Sequence, residues 1–222
     1  MRLPWNRHRP ATTEPAPPDD LEEHAPGWDA ITAAMVGVHG GPERRHVGFP
    51  PGVAFGSPLQ GASVYDAGDH WHYVTYGLSE LFAPAPDAAP DVSGWGLELT
   101  MRVVRGADDA PPEWPFGMLA ALAAHVRETG WVPEHGSRLD MQSPITGYPW
   151  NRASVPTGLT VFAFVVDGPL GRIATPHGSV TFVQAVGVTE QERALMAQST
   201  TDEVLATLPQ AAGLPVTDPG RA

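Results

Sequence analysis

An α+β fold, one domain built on a central mixed and mostly antiparallel sheet flanked by helices, is predicted by three features of the sequence. Several apolar runs follow the two-residue period of strands, a few others follow the period of helices, and the two kinds do not alternate in the regular βαβ order of a parallel sheet. The chain has 222 residues, 42% of them hydrophobic, enough for one well-filled core.

Residues 1–22, rich in Pro, Thr and acid, read as a disordered tail before a domain over 23–210. A first helix is expected in "GWDAITAAMVGVHG", where Trp28, Ile31 and Met35 share a face and Gly40–Gly41 supply the stop. Two short strands, "RRHVGF" and "ASVYDA", follow in a stretch punctuated by Gly and Pro. In "GDHWHYVTYGLSELF" an extended chain turns His70, His72, Val74, Tyr76 and Leu78 one way and Trp71, Tyr73 and Thr75 the other. Both faces carry large side chains, so this is a central strand covered on both sides. The prolines of "APAPDAAPDVSG" then exclude a regular element.

"GWGLELTMRVV" alternates cleanly. Trp95, Leu97, Leu99, Met101 and Val103 form a buried row, and Gly96, Glu98, Thr100 and Arg102 an opposite row, with Glu98 solvated or paired with Arg102. The next helix lies in "PPEWPFGMLAALAAHVRETG", with Pro115 in its first turn, Met118, Leu119, Leu122 and Val126 as its stripe, and Gly130 as its stop. Residues 131–158 are long, polar and weakly periodic, a pattern that is often functional. "LTVFAFVVD" is a strand buried on both faces. A short strand in "GPLGRIATPHG" and a longer one in "SVTFVQAVGV" follow. Thr189 with Glu192 forms a capping box, a last helix begins near Thr201, and residues 211–222 are expected to trail off as a tail.

Composition narrows the function. No cysteine is present, which excludes disulfides, thiolate catalysis and Cys-based metal centres. The net charge is -12, from 25 acidic against 13 basic residues, and every basic residue is arginine. Such a surface repels a phosphate backbone, so nucleic acid is not an expected partner. No run approaches the roughly 18 apolar residues of a membrane span, and the basic amino terminus leads into no apolar stretch, so a cytoplasmic location is expected.

No phosphate loop, GxSxG elbow or HExxH pair occurs. His70 and His72 are the best metal candidates, with His177, His135 or Glu80 as a third ligand, but the glutamate that usually follows such a pair at short spacing is missing. A metal-dependent enzyme using this region is therefore the alternative reading, and histidines hydrogen-bonded around an aromatic core the favoured one. His135, Ser137, Asp140 and Ser143 contain the types of a hydrolytic triad without its strand-to-helix elbow. Arg138 and Asp140 more simply pin the long loop.

The segments "DHWHYVTYGLSELF", "SGWGLELTMRV", "FGMLAALAAHV", "HGSRLDMQSPITG" and "LTVFAFVVDGPLGRIATPHGSVTFVQAVGVTEQE", in this order over residues 28–198, resemble the suppressor of fused domain in its bacterial form. The resemblance reaches only the amino-terminal half of the animal protein. It implies a single α+β domain with no catalytic residue pattern, and on the residues themselves no cofactor and no bound metal is expected. It also implies a protein partner, which animal members hold as a strand between two domains, and a likeness to immunity proteins that neutralise toxins. An acidic surface suits a basic toxin. The partner-binding set expected from polar and aromatic character is His70, His72, Tyr76, Trp95, Glu98, Arg138, Asp140 and Tyr148. The aromatic content suits a homodimer as well as a core.

Overall fold

A computed structural model describes residues 25–49, 59–82, 91–107 and 109–221. The proline-rich tail over 1–22 and most of "APAPDAAPDVSG" lie outside these residues.

The elements run α1 (Pro26–His39), β1 (Arg45–Gly48), β2 (Gly61–Asp66), β3 (His70–Tyr76), β4 (Val92–Val104), α2 (Trp114–Thr129), β5 (Arg138–Asp140), β6 (Val161–Val166), β7 (Arg172–Thr175), β8 (Gly178–Val188), α3 (Glu190–Met196), α4 (Thr201–Leu205) and a hairpin of β9 (Gln210–Ala211) with β10 (Leu214–Pro215). The main sheet has the order β1-β2-β3-β4-β8-β6-β5, with β7 added beside β8. All its pairings are antiparallel except that of β4 with β8, so the sheet is mixed and mostly antiparallel.

Strand alternation sorts the core into two layers. Trp71, Tyr73, Leu97, Leu99, Met101, Phe162 and Phe164 meet α2 through Leu119, Leu122, Ala123 and Val126. On the other side, Ile31 and Met35 of α1 pack on Tyr65, Val74, Tyr76 and Phe182, while Val161, Ala163, Val165, Val186 and Val188 receive Met196, Val204 and Leu205 of α3 and α4. Gly40 and Gly130 end α1 and α2 in the left-handed conformation that favours glycine. Gly27 is required for a different reason, because a Cβ there would stand 2.1 Å from the Glu80 carbonyl oxygen. Thr189 caps α3 in the expected box with Glu192, and Thr200 does the same for α4 with Glu203.

Three expectations are corrected. β4 has two buried faces: Glu98, Thr100 and Arg102 are as inaccessible as Leu99 and Met101. Trp95 is not core but 38% exposed. Between Val92 and Leu97 the chain advances five residues against two on β8, with Gly94 and Gly96 at positive φ, and this irregularity takes Trp95 out of the inward row. The segment "GLPVTDPGRA" does not trail off. Thr217 inserts where β4 and β8 diverge: its N–H donates to the Arg102 carbonyl at 2.8 Å, its carbonyl accepts from Val104 N–H at 3.1 Å, and its hydroxyl accepts from Gly187 N–H at 2.9 Å. Val216 and Thr217 are buried.

Candidate functional site

His72 lies third from one edge of the sheet, fully buried, at the centre of a polar network. Asp167, just beyond β6, anchors it. The Arg102 guanidinium meets the carboxylate as a fork, Nη1 to Oδ2 at 2.6 Å and Nη2 to Oδ1 at 2.9 Å. Thr100 Oγ1 donates to Oδ2 at 2.8 Å, and Arg102 Nη1 also reaches Gln184 Oε1 at 2.6 Å. His72 Nε2 lies 3.1 Å from Asp167 Oδ2, and its Nδ1 lies 2.9 Å from Nε2 of His39 at the end of α1. A carboxylate only accepts, so Nε2 of His72 carries the proton and His39 donates to the bare Nδ1.

Burial, reinforced by the Arg102 charge, pushes His72 down to about 3 and His39 to about 4, so both rings are neutral. Burial would raise Asp167, but the hydrogen bonds from His72 and Arg102 more than reverse it and hold the carboxyl well below its usual range. The result is a closed ion pair braced by two neutral imidazoles.

Glu98 is solved differently. Its Oε1 accepts from Gly77 N–H, Ser79 N–H and Ser79 Oγ at 3.0, 2.9 and 2.7 Å, and its Oε2 from Thr75 Oγ1 at 2.5 Å. No ion pair with Arg102 forms. Burial raises the Glu98 carboxyl, and the four neutral donors only oppose that rise. This knot holds the turn after β3 against β4. Above it a cleft of about 420 Å³ is lined by Gly77–Phe82, Gln60, Gly94 and Trp95. Phe82 and Trp95 are exposed by 40% and 38%, and Trp95 N–H donates to the Leu78 carbonyl at 2.8 Å. Gly94 permits this approach, since a Cβ there would stand 2.7 Å from Leu78 O.

The eight expected contact residues thus divide. His70, His72, Tyr76 and Glu98 are buried in the interior. Tyr76 shares its hydroxyl with Thr32 and Tyr65, and His70 Nδ1 is bonded to Asp69 at 2.7 Å. Trp95, Arg138, Asp140 and Tyr148 face solvent. Among the described residues neither Arg138 nor Asp140 forms an ion pair that would pin the loop; β5 is tied to β6 through the backbone of their neighbours, with Phe164 N–H donating to Ser137 O and Met141 N–H to Thr160 O.

Among the described residues no three His, Cys, Asp or Glu side chains are placed to hold a metal. His70 and His72 are engaged with Asp69 and with Asp167 and His39, and His135 is bonded to Asp202 at 3.0 Å. The Ser137 hydroxyl caps Glu134 N–H and does not meet His135. Sequence reasoning missed His39, Asp167 and Phe82. Asp167 left one signal, a carboxylate directly after a strand apolar on both faces.

The family model of the suppressor of fused protein matches residues 56–222. The chain belongs to this family. The human and mouse suppressor of fused homologs are each 30% identical to it over 129 residues, which is 56% of this chain and 25% of theirs. The chain therefore spans about a quarter of the length of these relatives. Among solved structures, a chain of the Sufu–Fu complex is 27% identical with a TM-score of 0.76, covering 89% of this chain and 91% of that one. Drosophila Suppressor of Fused is 26% identical with a TM-score of 0.77, over 89% of this chain and 51% of its own. A SUFU homolog from Neisseria gonorrhoeae, 14% identical over 79% of this chain and 85% of its own, shares the fold with a TM-score of 0.52.

Proposed function

We propose that this suppressor of fused family member is a non-enzymatic protein-binding domain, whose partner docks on the cleft rimmed by Trp95 and Phe82. The observation that carries the reading is the likeness to a chain solved within the Sufu–Fu complex. Two features support it. The cleft presents two half-exposed aromatics on a turn made rigid by the Glu98 knot, which is how binding hot spots are held. The buried ionisable groups Arg102, Asp167, His72 and Glu98 are consumed by one another or by fixed donors. In this reading His70, His72, Tyr76 and Glu98 position the surface and do not touch the partner. Tyr148 contributes from a separate exposed loop, and Arg138 and Asp140 belong to another edge of the sheet.

The finer proposal is that the chain is a bacterial, cytoplasmic immunity protein whose partner is a basic toxin. The excess of 25 acidic over 13 basic residues supports it, because such a field speeds encounter with a basic protein. Affinity capture of the native chain from its own cell extract, across a salt series and with metal analysis, tests both levels. One stoichiometric basic partner, released by raised salt and bound about 10-fold or more weakly by Trp95→Ala, is the expected result. An acidic partner would remove the toxin reading alone. No protein partner but one equivalent of bound metal would overturn the binding reading in favour of an enzyme.

A further inference from the structure

Between Ile145 and Leu159 the chain forms a closed loop whose two ends meet, Ile145 N–H donating to the Leu159 carbonyl at 3.0 Å. The loop is held by its own bonds. Asn151 N–H donates to Gly147 O at 2.8 Å, Ser154 N–H to Asn151 O at 3.0 Å, and the buried Thr146 hydroxyl to Val155 O at 2.7 Å. On this fixed frame Trp150 is 90% exposed. A covered tryptophan removes about 150–250 Å² from water, and here the frame holds that surface out in solvent.

Asn151, the next residue, already lines a groove of about 650 Å³, whose walls include Val103, Pro112, Trp114, Val155, Pro156 and Pro219. Three segments build it: the chain after β4, the same loop, and the carboxy-terminal segment. Their backbones are joined, Val104 N–H to Thr217 O at 3.1 Å and Gly158 N–H to Arg221 O at 3.3 Å, so the groove is formed before anything enters it.

Unpaired charges flank both features. Arg152 is exposed two residues after Trp150 and makes no ion pair among the described residues. Asp218, on the groove wall, makes none among them either, and its Oδ1 accepts a local bond from Gly220 N–H at 2.9 Å.

We propose that this face is a self-association surface, with Trp150 of each copy seated in the groove of a second copy about a two-fold axis. Two properties select that occupant. An isologous interface needs one patch that carries both a protrusion and the hole that receives it, because each copy offers the same surface. Here the two share a loop. The cation accompanies the protrusion and the anion lines the hole, so seating Trp150 brings Arg152 of each copy to Asp218 of the other. A foreign partner would require only half of this arrangement. Tryptophan and arginine are also the types on which binding energy concentrates. The contact is separate from the Trp95 cleft, since the two lie at opposite ends of β4.

Sedimentation velocity of the full chain over a concentration series tests the proposal. The wild type should show a dimer that dissociates reversibly on dilution. Trp150→Ala should weaken it about 10-fold or more, with unchanged circular dichroism because the side chain is exposed. Arg152→Asp and Asp218→Arg should each weaken it as well, since each sets like charges opposite. An equimolar mixture of these two variants should restore a heterodimer, in which both contacts again join opposite charges. A wild type that stays monomeric, a dimer indifferent to Trp150→Ala, or charge variants that fail to pair when mixed would overturn the proposal. A monomer in which Trp150→Ala abolishes capture of a different protein would assign the loop to that partner and overturn it equally.

Discussion

Two carboxylates are buried in the same sheet, Asp167 and Glu98, and the sheet stabilises them by opposite means. Asp167 faces the formal charge of Arg102, with His72 and Thr100 completing its shell. Among the described residues Glu98 pairs with no cation and is held by two backbone N–H groups and two hydroxyls. The consequence is a carboxyl lowered at one site and raised at the other. Burial depth alone therefore does not set the ionisation of a core acid; the charge of its donors does. The two knots also hold different things. The Asp167 pair joins β3, β4, β8 and the chain after β6, while Glu98 fastens one turn beneath the cleft.

The comparison breaks most sharply at Arg102. Arg102→Met leaves Asp167 buried without its cation and should cost about 3–5 kcal/mol in denaturant unfolding. Adding Asp167→Leu to that variant should recover most of the loss, since a buried pair replaced by apolar side chains is often neutral. Glu98→Ala strands neutral donors rather than a charge, and should cost less, about 2–3 kcal/mol. It should also weaken any partner captured through the proposed Trp95 cleft, because the turn it fastens lines the same cleft. His39→Ala removes a single donor from His72 Nδ1 and should cost about 1–2 kcal/mol by the same assay.

The smallest effect is the most discriminating one, the pH dependence. Asp167 has a folded pKa below its unfolded value near 3.8, so its contribution is complete above that value and is lost as pH falls through and below it. Glu98 has a folded pKa above its unfolded value near 4.5, so the folded state binds the proton more tightly and stability declines as pH rises from 4.5 toward the raised value. The gap in unfolding free energy between wild type and Asp167→Asn should narrow in acid. Glu98→Gln should instead gain on the wild type as pH rises through that window. Parallel profiles for the two variants would contradict the contrast between the sites.

The parts of the molecule legible in the sequence are those governed by local rules. The helical stripe of Ile31 and Met35, the stops at Gly40 and Gly130, the cap at Thr189 and the doubly covered strand from His70 to Tyr76 follow from periodicity and backbone preference within a few residues. Arg102 and Glu98 differ from the sequence expectation because alternation marks a polar row as solvent-facing unless something covers it. What covers that row is α1 and the chain after β6, and neither is near β4 in sequence. Trp95 differs for the converse reason, since an irregularity at Gly94–Gly96 breaks a parity that the letters alone keep.

The sequence by itself thus determined the α+β class, most of the elements and the acidic, cysteine-free character of the chain. Only the tertiary structure decided which ionisable groups meet. The bonds from His72 to Asp167 and from Arg102 to Asp167 span 95 and 65 residues, and the carboxy-terminal Thr217 closes the sheet beside Arg102. Local propensity carries no information about such contacts. They exist because a buried charge or backbone group must find its partner wherever the folded chain brings one within hydrogen-bonding distance.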